Sequence, residues 1–108
     1  MRAQIHHIAL NVSDLEWYAA FFQDVFSMTV QRTAGEKPKR RLWFREGVQL
    51  NECSGEPECG EAYDHFSLGV DDIPGAVKRA LDAGCSPLPN GSHWLQLPNG
   101  VRLELKPL

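Results

Sequence analysis

The chain has 108 residues, 43% of them hydrophobic and 23% charged, with 9 glycines and 7 prolines. This length suits one domain with an unstapled core, and the composition excludes long disorder, collagen-like repeats and a disulfide-dense miniprotein. A net charge of −3, from 11 basic and 14 acidic side chains, argues against the basic face of a nucleic-acid binder. No run approaches the ~18 uninterrupted apolar residues of a membrane span. No apolar stretch with a small-residue cleavage site opens the chain, so a cytoplasmic location and no membrane partner are expected.

In chain order, His7–Val12 alternates, with Ile8, Leu10 and Val12 on one face and His7, Ala9 and Asn11 on the other. Period two predicts a strand. Ser13 stands three residues before Glu16, the spacing of a capping box. A helix over about 14–26 follows, with Leu15, Tyr18, Phe22 and Val25 as its apolar stripe. Short strands are predicted at Met28–Thr33, Arg41–Glu46 and Val48–Glu52. The cluster Lys37, Lys39, Arg40 and Arg41 lacks helical spacing and reads as a solvated loop. The acidic stretch 53–63 reads as a linker. Of the three cysteines, Cys53 and Cys59 bracket part of it and Cys85 stands apart; with no CxxC, free thiols are expected, a Cys53–Cys59 disulfide or a metal role being the alternatives. His65–Val70 predicts another strand. Asp71 or Asp72 then caps a helix with Pro74 in its first turn, Ile73, Val77, Ala80 and Leu81 on its apolar face, and Gly84 as its stop. Strands near Pro87–Leu88, Trp94–Leu97 and Val101–Leu105 complete the chain, the last two joined by a Pro98-Asn99-Gly100 turn.

The order βαβββ thus occurs twice, and the residues repeat with it. HHIALNVSDL (6–15) aligns with DHFSLGVDDI (64–73), pairing His7 with His65, Leu10 with Leu68, Val12 with Val70 and Asp14 with Asp72. GVQLNE (47–52) aligns with GVRLEL (100–105). Two ordered matches indicate a single domain, 1–108, of two related modules, 5–52 and 64–106. Strand parity gathers His7, Asn11, Gln49, Asn51, His65, Ser67, Arg102 and Glu104 on one polar face, with Arg41, Trp43 and Arg45 of the third strand.

These segments resemble the vicinal oxygen chelate superfamily, which includes glyoxalases, fosfomycin- and bleomycin-resistance proteins and ring-cleaving dioxygenases. The resemblance covers nearly the whole chain, from HHIALNVSDLEWYAAFFQDVF through DHFSLGVDDI to LPNGVRLELK. It implies an α+β fold in which the modules form a curved mixed sheet with a cleft for a divalent metal. Carried over by position, it implies His7, His65 and Glu104 as metal ligands. Asn51, four residues after Gly47, stands where glyoxalase-like members usually have a carboxylate, and Leu97 replaces the usual Asp of the closing turn. Two histidines and a glutamate suit iron, manganese, nickel, zinc or cobalt, which would act as a Lewis acid on a substrate oxygen. Parity excludes His6 and Asp64 as ligands. Arg41, Arg45 and Arg102 are candidates for clamping an anionic small-molecule substrate, Trp43 and Asn51 for lining its cleft, and His93 for proton transfer. The resemblance also implies a homodimer, with Trp17 beside the helical stripe as an interface anchor.

Three functions compete. One is a metal-dependent lyase, isomerase, thiol transferase or ring-cleaving dioxygenase acting on a small oxygen-rich substrate. The second is a metal-free binding or sequestration protein of the bleomycin-resistance type. The third is a structural or regulatory partner domain.

Overall fold

The computed structural model describes residues 1–54, 63–98 and 100–108. The expected linker lies largely outside these residues, as do Cys59 and Asn99 of the closing turn. The chain divides into two compact units: His7–Asp64, and Met1–His6 together with His65–Leu108.

In chain order the elements are β1 (Ala3–Val12), α1 (Leu15–Phe26), β2 (Val30–Ala34), β3 (Arg41–Phe44), β4 (Val48–Glu52), β5 (Tyr63–Val70), α2 (Ile73–Ala83), β6 (Ser86–Pro87), β7 (Trp94–Gln96) and β8 (Arg102–Pro107). This is the expected α+β arrangement of two βαβββ modules. The strands of the first run in the order β2-β3-β4-β1, and those of the second β6-β7-β8-β5. In each, the opening strand pairs in parallel with the last, β1 with β4 and β5 with β8, and the other pairings are antiparallel. The helix between opening strand and later strands supplies the crossover that parallel neighbours need.

The first core joins Val12, Leu15, Leu42, Phe44 and Leu50, with Ala19 and Phe22 of α1 packed against it. The working stripe of α1 is therefore Leu15, Ala19 and Phe22, spaced i, i+4, i+7. Tyr18 and Val25 of the expected stripe are exposed, because both lie to the same side of that line, turned away from the core. Ile8 is also 42% exposed although its parity is apolar. Asp14, rather than Ser13, caps α1: its carboxylate accepts from the Trp17 backbone N–H at 3.1 Å, and an N-cap oxygen reaches the donors two or three residues ahead.

The second core joins Val70, Leu95, Leu103 and Leu105 with Ile73, Ala76, Val77 and Ala80 of α2. Asp72 is the N-cap of α2, accepting from the Gly75 N–H, and Gly84 ends the helix at φ 117°. A side chain at Gly75 would collide with the capping carboxylate, and one at Gly84 would be strained by the positive φ. Leu81, expected on the apolar face, is exposed.

The solvated-loop reading fails for Arg40. Its Nε and Nη2 donate to the two Glu52 carboxylate oxygens at 2.8 and 2.7 Å, and Nη2 also reaches Glu16 at 2.7 Å. Glu52 shares the parity of Leu50, which turns it toward the α1 side, where a buried carboxylate requires a cation. These bonds hold the Glu52 carboxyl down at about 2, against an ordinary 4.5, and raise the Arg40 guanidinium. Cys85 is a free thiol as expected, whereas Cys53 is in a disulfide. Among the described residues no helix is long and apolar enough to cross a membrane.

Candidate metal centre

Parallel pairing of β5 with β8 sets Ser67 opposite Glu104, and antiparallel pairing of β8 with β7 sets Trp94 on the other flank of Glu104. Residues in register share a face. His65, two residues before Ser67, shares it too. The result is a compact group: His65 Nε2 stands 3.5 Å from Glu104 Oε1, and the Trp94 ring meets the His65 ring edge-on at 4.6 Å. His65 and Glu104 are buried, at 5% and 8% exposure. His93 Nε2 lies 3.9 Å from Glu104 Oε2, and Lys106 Nζ is also at 3.9 Å. His93 is thus beside the candidate ligand, half-exposed, with its backbone carbonyl accepting from Leu105 N–H at 2.8 Å. Ser67 is fully buried, and its hydroxyl is an orphan among the described side chains. Arg102 is on β8 but exposed, opposite Gln96.

The same register recurs in the first unit with different chemistry. His7 is buried on β1, and β1–β4 pairing sets Ala9 opposite Gln49 and Asn11 opposite Asn51. On β3, Trp43 faces Gln49 and Arg41 faces Asn51. Matching His7 to His65 and Ala9 to Ser67 makes Gln49 the counterpart of Glu104, and Trp43 the counterpart of Trp94. Sequence spacing after the glycines instead picks Asn51, because Glu104 lies four residues after Gly100 whereas Gln49, its counterpart in register, lies only two after Gly47. The position expected to hold a carboxylate therefore holds a buried glutamine. Its Nε2 donates to Asn51 Oδ1 at 2.8 Å, and Asn11 Nδ2 donates to Asp64 Oδ1 at 3.3 Å.

Of the other expected substrate residues, Arg41 and Trp43 occupy the polar face of β3. Arg45 does not: β3 ends at Phe44, and Arg45 sits exposed in the turn to β4. Its alternation with Trp43 was extended past the strand's end. Sequence reading undervalued Gln49 and missed Lys106 and Arg32, whose Cζ stacks 3.9 Å from the Trp43 ring centroid. The signal for Gln49 was present, as its parity with the other polar-face residues, but strand register was needed to rank it above Asn51. His6 is exposed, consistent with its exclusion.

Paired βαβββ modules with buried imidazole and carboxylate donors on their polar faces define a vicinal oxygen chelate protein. The glyoxalase-like domain family model matches residues 7–105, and the chain belongs to that family. It is 30% identical to the lactoylglutathione lyase of Haemophilus influenzae, over 94% of this chain and 90% of that protein. Among solved structures, a methylmalonyl-CoA epimerase variant from Streptomyces coelicolor, in complex with 2-nitronate-propionyl-CoA, is similar with a TM-score of 0.70 and 22% identity, covering 94% of each chain. A 4-hydroxymandelate synthase variant from the same organism gives a TM-score of 0.79 at 20% identity, with 96% of this chain covering 37% of that one.

Proposed function

We propose that the protein is a divalent-metal-dependent enzyme acting on a small oxygen-rich substrate, with His7, His65 and Glu104 as ligands. The observation that carries this reading is the buried His65–Glu104 pair at 3.5 Å, an imidazole and a carboxylate held together away from water. Such donors fit iron, manganese, nickel, zinc or cobalt. The orphan Ser67 hydroxyl beside them marks a place whose polar groups are not all satisfied from within the fold. When bound, the metal supplies Lewis acidity toward a substrate oxygen.

The chain's own residues do the remainder. Gln49, at the position equivalent to Glu104, offers an amide oxygen as a weaker fourth donor or as an acceptor for a substrate hydroxyl. Trp94 closes one side of His65 and keeps water from it. His93, with Nε2 beside Glu104, holds or takes a proton at that nitrogen as the substrate's charge develops. Arg41, Trp43, Asn51 and Arg102 serve substrate binding. The relatives' names favour a lyase or isomerase over ring cleavage, since a lactoylglutathione lyase and an epimerase share the fold over most of their length.

Metal content of the purified protein tests this directly. Stoichiometric metal in the wild type and none in His65→Ala is expected; equal cobalt or manganese affinity in the two proteins overturns the ligand assignment. A metal-free wild type that binds small ligands would favour the sequestration reading.

The same proposal includes one vicinal oxygen chelate domain of two modules, a cytoplasmic location and a homodimer. Trp17 supports the dimer: it is 55% exposed and stacks on Phe21 at 5.1 Å, leaving an aromatic face on α1. Sedimentation equilibrium at micromolar concentration is expected to give twice 12.1 kDa; a single species at the monomer mass overturns it.

A further inference from the structure

The first unit carries a second cluster, away from His7, at the outer strands of its sheet. Arg32 of β2 is in register with Trp43 of β3, and Arg41 lies two residues before Trp43 on the same face. The Arg32 Cζ stands 3.9 Å and the Arg41 Cζ 5.4 Å from the Trp43 ring centroid. Both arginines are exposed, and the ring is half-buried. Among the described residues Glu16 and Glu52 of this unit pair with Arg40, and neither Arg32 nor Arg41 enters an ion pair with a carboxylate.

This is an unusual use of charge in a chain with 14 acidic side chains and a net charge of −3. Two guanidiniums gathered on one ring repel each other. The ring quadrupole offsets part of that, and an anion between them would offset the rest. Packing against the ring also restricts the two side chains, so less freedom is lost when they grip a planar or tetrahedral oxyanion through paired hydrogen bonds.

We propose that Arg32 and Arg41, mounted on Trp43, form an oxyanion subsite that recognises a carboxylate or phosphate at the far end of an elongated substrate. The inference deepens the function proposed above and rests on it for the identity of the near end. Its reach follows from register. Trp43 lies two strands across from β1 and in the row of Ala9, two residues from His7. With about 4.8 Å between strands and 3.3 Å per residue, the two Cα atoms are about 12 Å apart. A bare two- or three-carbon acid cannot span that. The fitting class is a conjugate or ester with its chelating oxygens at one end and an anionic group roughly 10 Å away.

The test uses the full chain labelled with nitrogen-15, following the Trp43 indole N–H resonance during titration with inorganic phosphate and, separately, succinate. Saturable shifts are expected, and the tighter of the two anions assigns the phosphate or the carboxylate source. Arg32→Gln and Arg41→Gln together should weaken that anion by about tenfold or more, with manganese binding unchanged. Arg32→Lys keeps the charge without the stacked fork and should fall between. Arg79→Gln, which removes a charge from α2, should have no effect. The proposal is overturned if neither anion moves the Trp43 signal, or if Arg79→Gln weakens binding as much as the double variant, which would reduce the effect to net charge. A wild type that binds the anion but takes up no manganese would instead count against the metal-enzyme reading alone.

Discussion

Trp43 and Trp94 occupy equivalent places in the two modules, each opposite the fourth-strand residue that matters most, yet they serve different neighbours. Trp94 packs edge-on against His65 and flanks Glu104; Trp43 flanks Gln49 and carries Arg32. The backbone register is the same. What differs is one side chain on each last strand, a carboxylate in the second module and an amide in the first. A buried carboxylate gathers cations and donors around it, and His65, His93 and Lys106 all stand within 4 Å of Glu104. An amide is satisfied locally, as Gln49 is by Asn51. Duplicated architecture thus gives the two modules different polar faces, one built around a carboxylate and the other around an amide.

Breaking this asymmetry gives the largest expected effect. Glu104→Gln should weaken manganese or cobalt binding by more than about 100-fold, beyond the 10–100-fold typical of supporting residues, while Gln49→Ala should cost about tenfold or less. Isothermal titration of both proteins checks it; similar losses would mean that the two positions contribute alike. The cores, in contrast, should respond alike. Leu50 and Leu95 are fully buried in their respective modules, and Leu50→Ala or Leu95→Ala should each destabilise by about 2–5 kcal/mol in urea unfolding. A gap larger than that range would show that one core relaxes around the cavity far better than the other.

Gln49→Glu sharpens the comparison from the other side. It makes the first module's position resemble the second's, and should raise metal affinity by about tenfold, since a carboxylate binds these ions more strongly than an amide oxygen. Unchanged affinity would place Gln49 outside the ligand sphere and leave it a substrate acceptor. The smallest effect concerns Glu52 of the first module. Its carboxyl is held at about 2 in the folded chain by Arg40, against 4.5 ordinarily. The stability it contributes is complete above about pH 4.5 and is lost as pH falls toward 2. Glu52→Gln should flatten the pH dependence of unfolding in that window; an unaltered profile would show that Glu52 is not the group whose titration sets it.

Much of this was readable before any coordinates. Alternation in His7–Val12 and His65–Val70, a cap at Asp71 or Asp72 with Gly84 as the stop, and the ordered repeat lead to βαβββ twice, because period and capping are local properties of the chain. His7, His65 and Glu104 were candidate ligands from strand parity and family resemblance together, and all three are buried. Places where the reading slipped share a cause. Asn51 was matched to Glu104 by counting from a glycine, Arg45 was carried past the end of β3, and Arg40 was read as solvated although it is bonded to Glu52 and Glu16.

The sequence by itself determined the two modules, most of the apolar residues that make each core, and the polar face of each set of strands. These depend on neighbours two, three or four residues apart. Tertiary structure alone decided which polar residues stand opposite one another: Ser67 with Glu104, Gln49 with both Ala9 and Trp43, and Arg32 with Trp43. Pairing register depends on where each strand starts and on the turn before it, and a shift of two residues preserves every face while changing every partner. That shift leaves the hydrophobic pattern unaltered, so nothing local records it, and only the assembled sheet settles that Gln49, not Asn51, answers to Glu104.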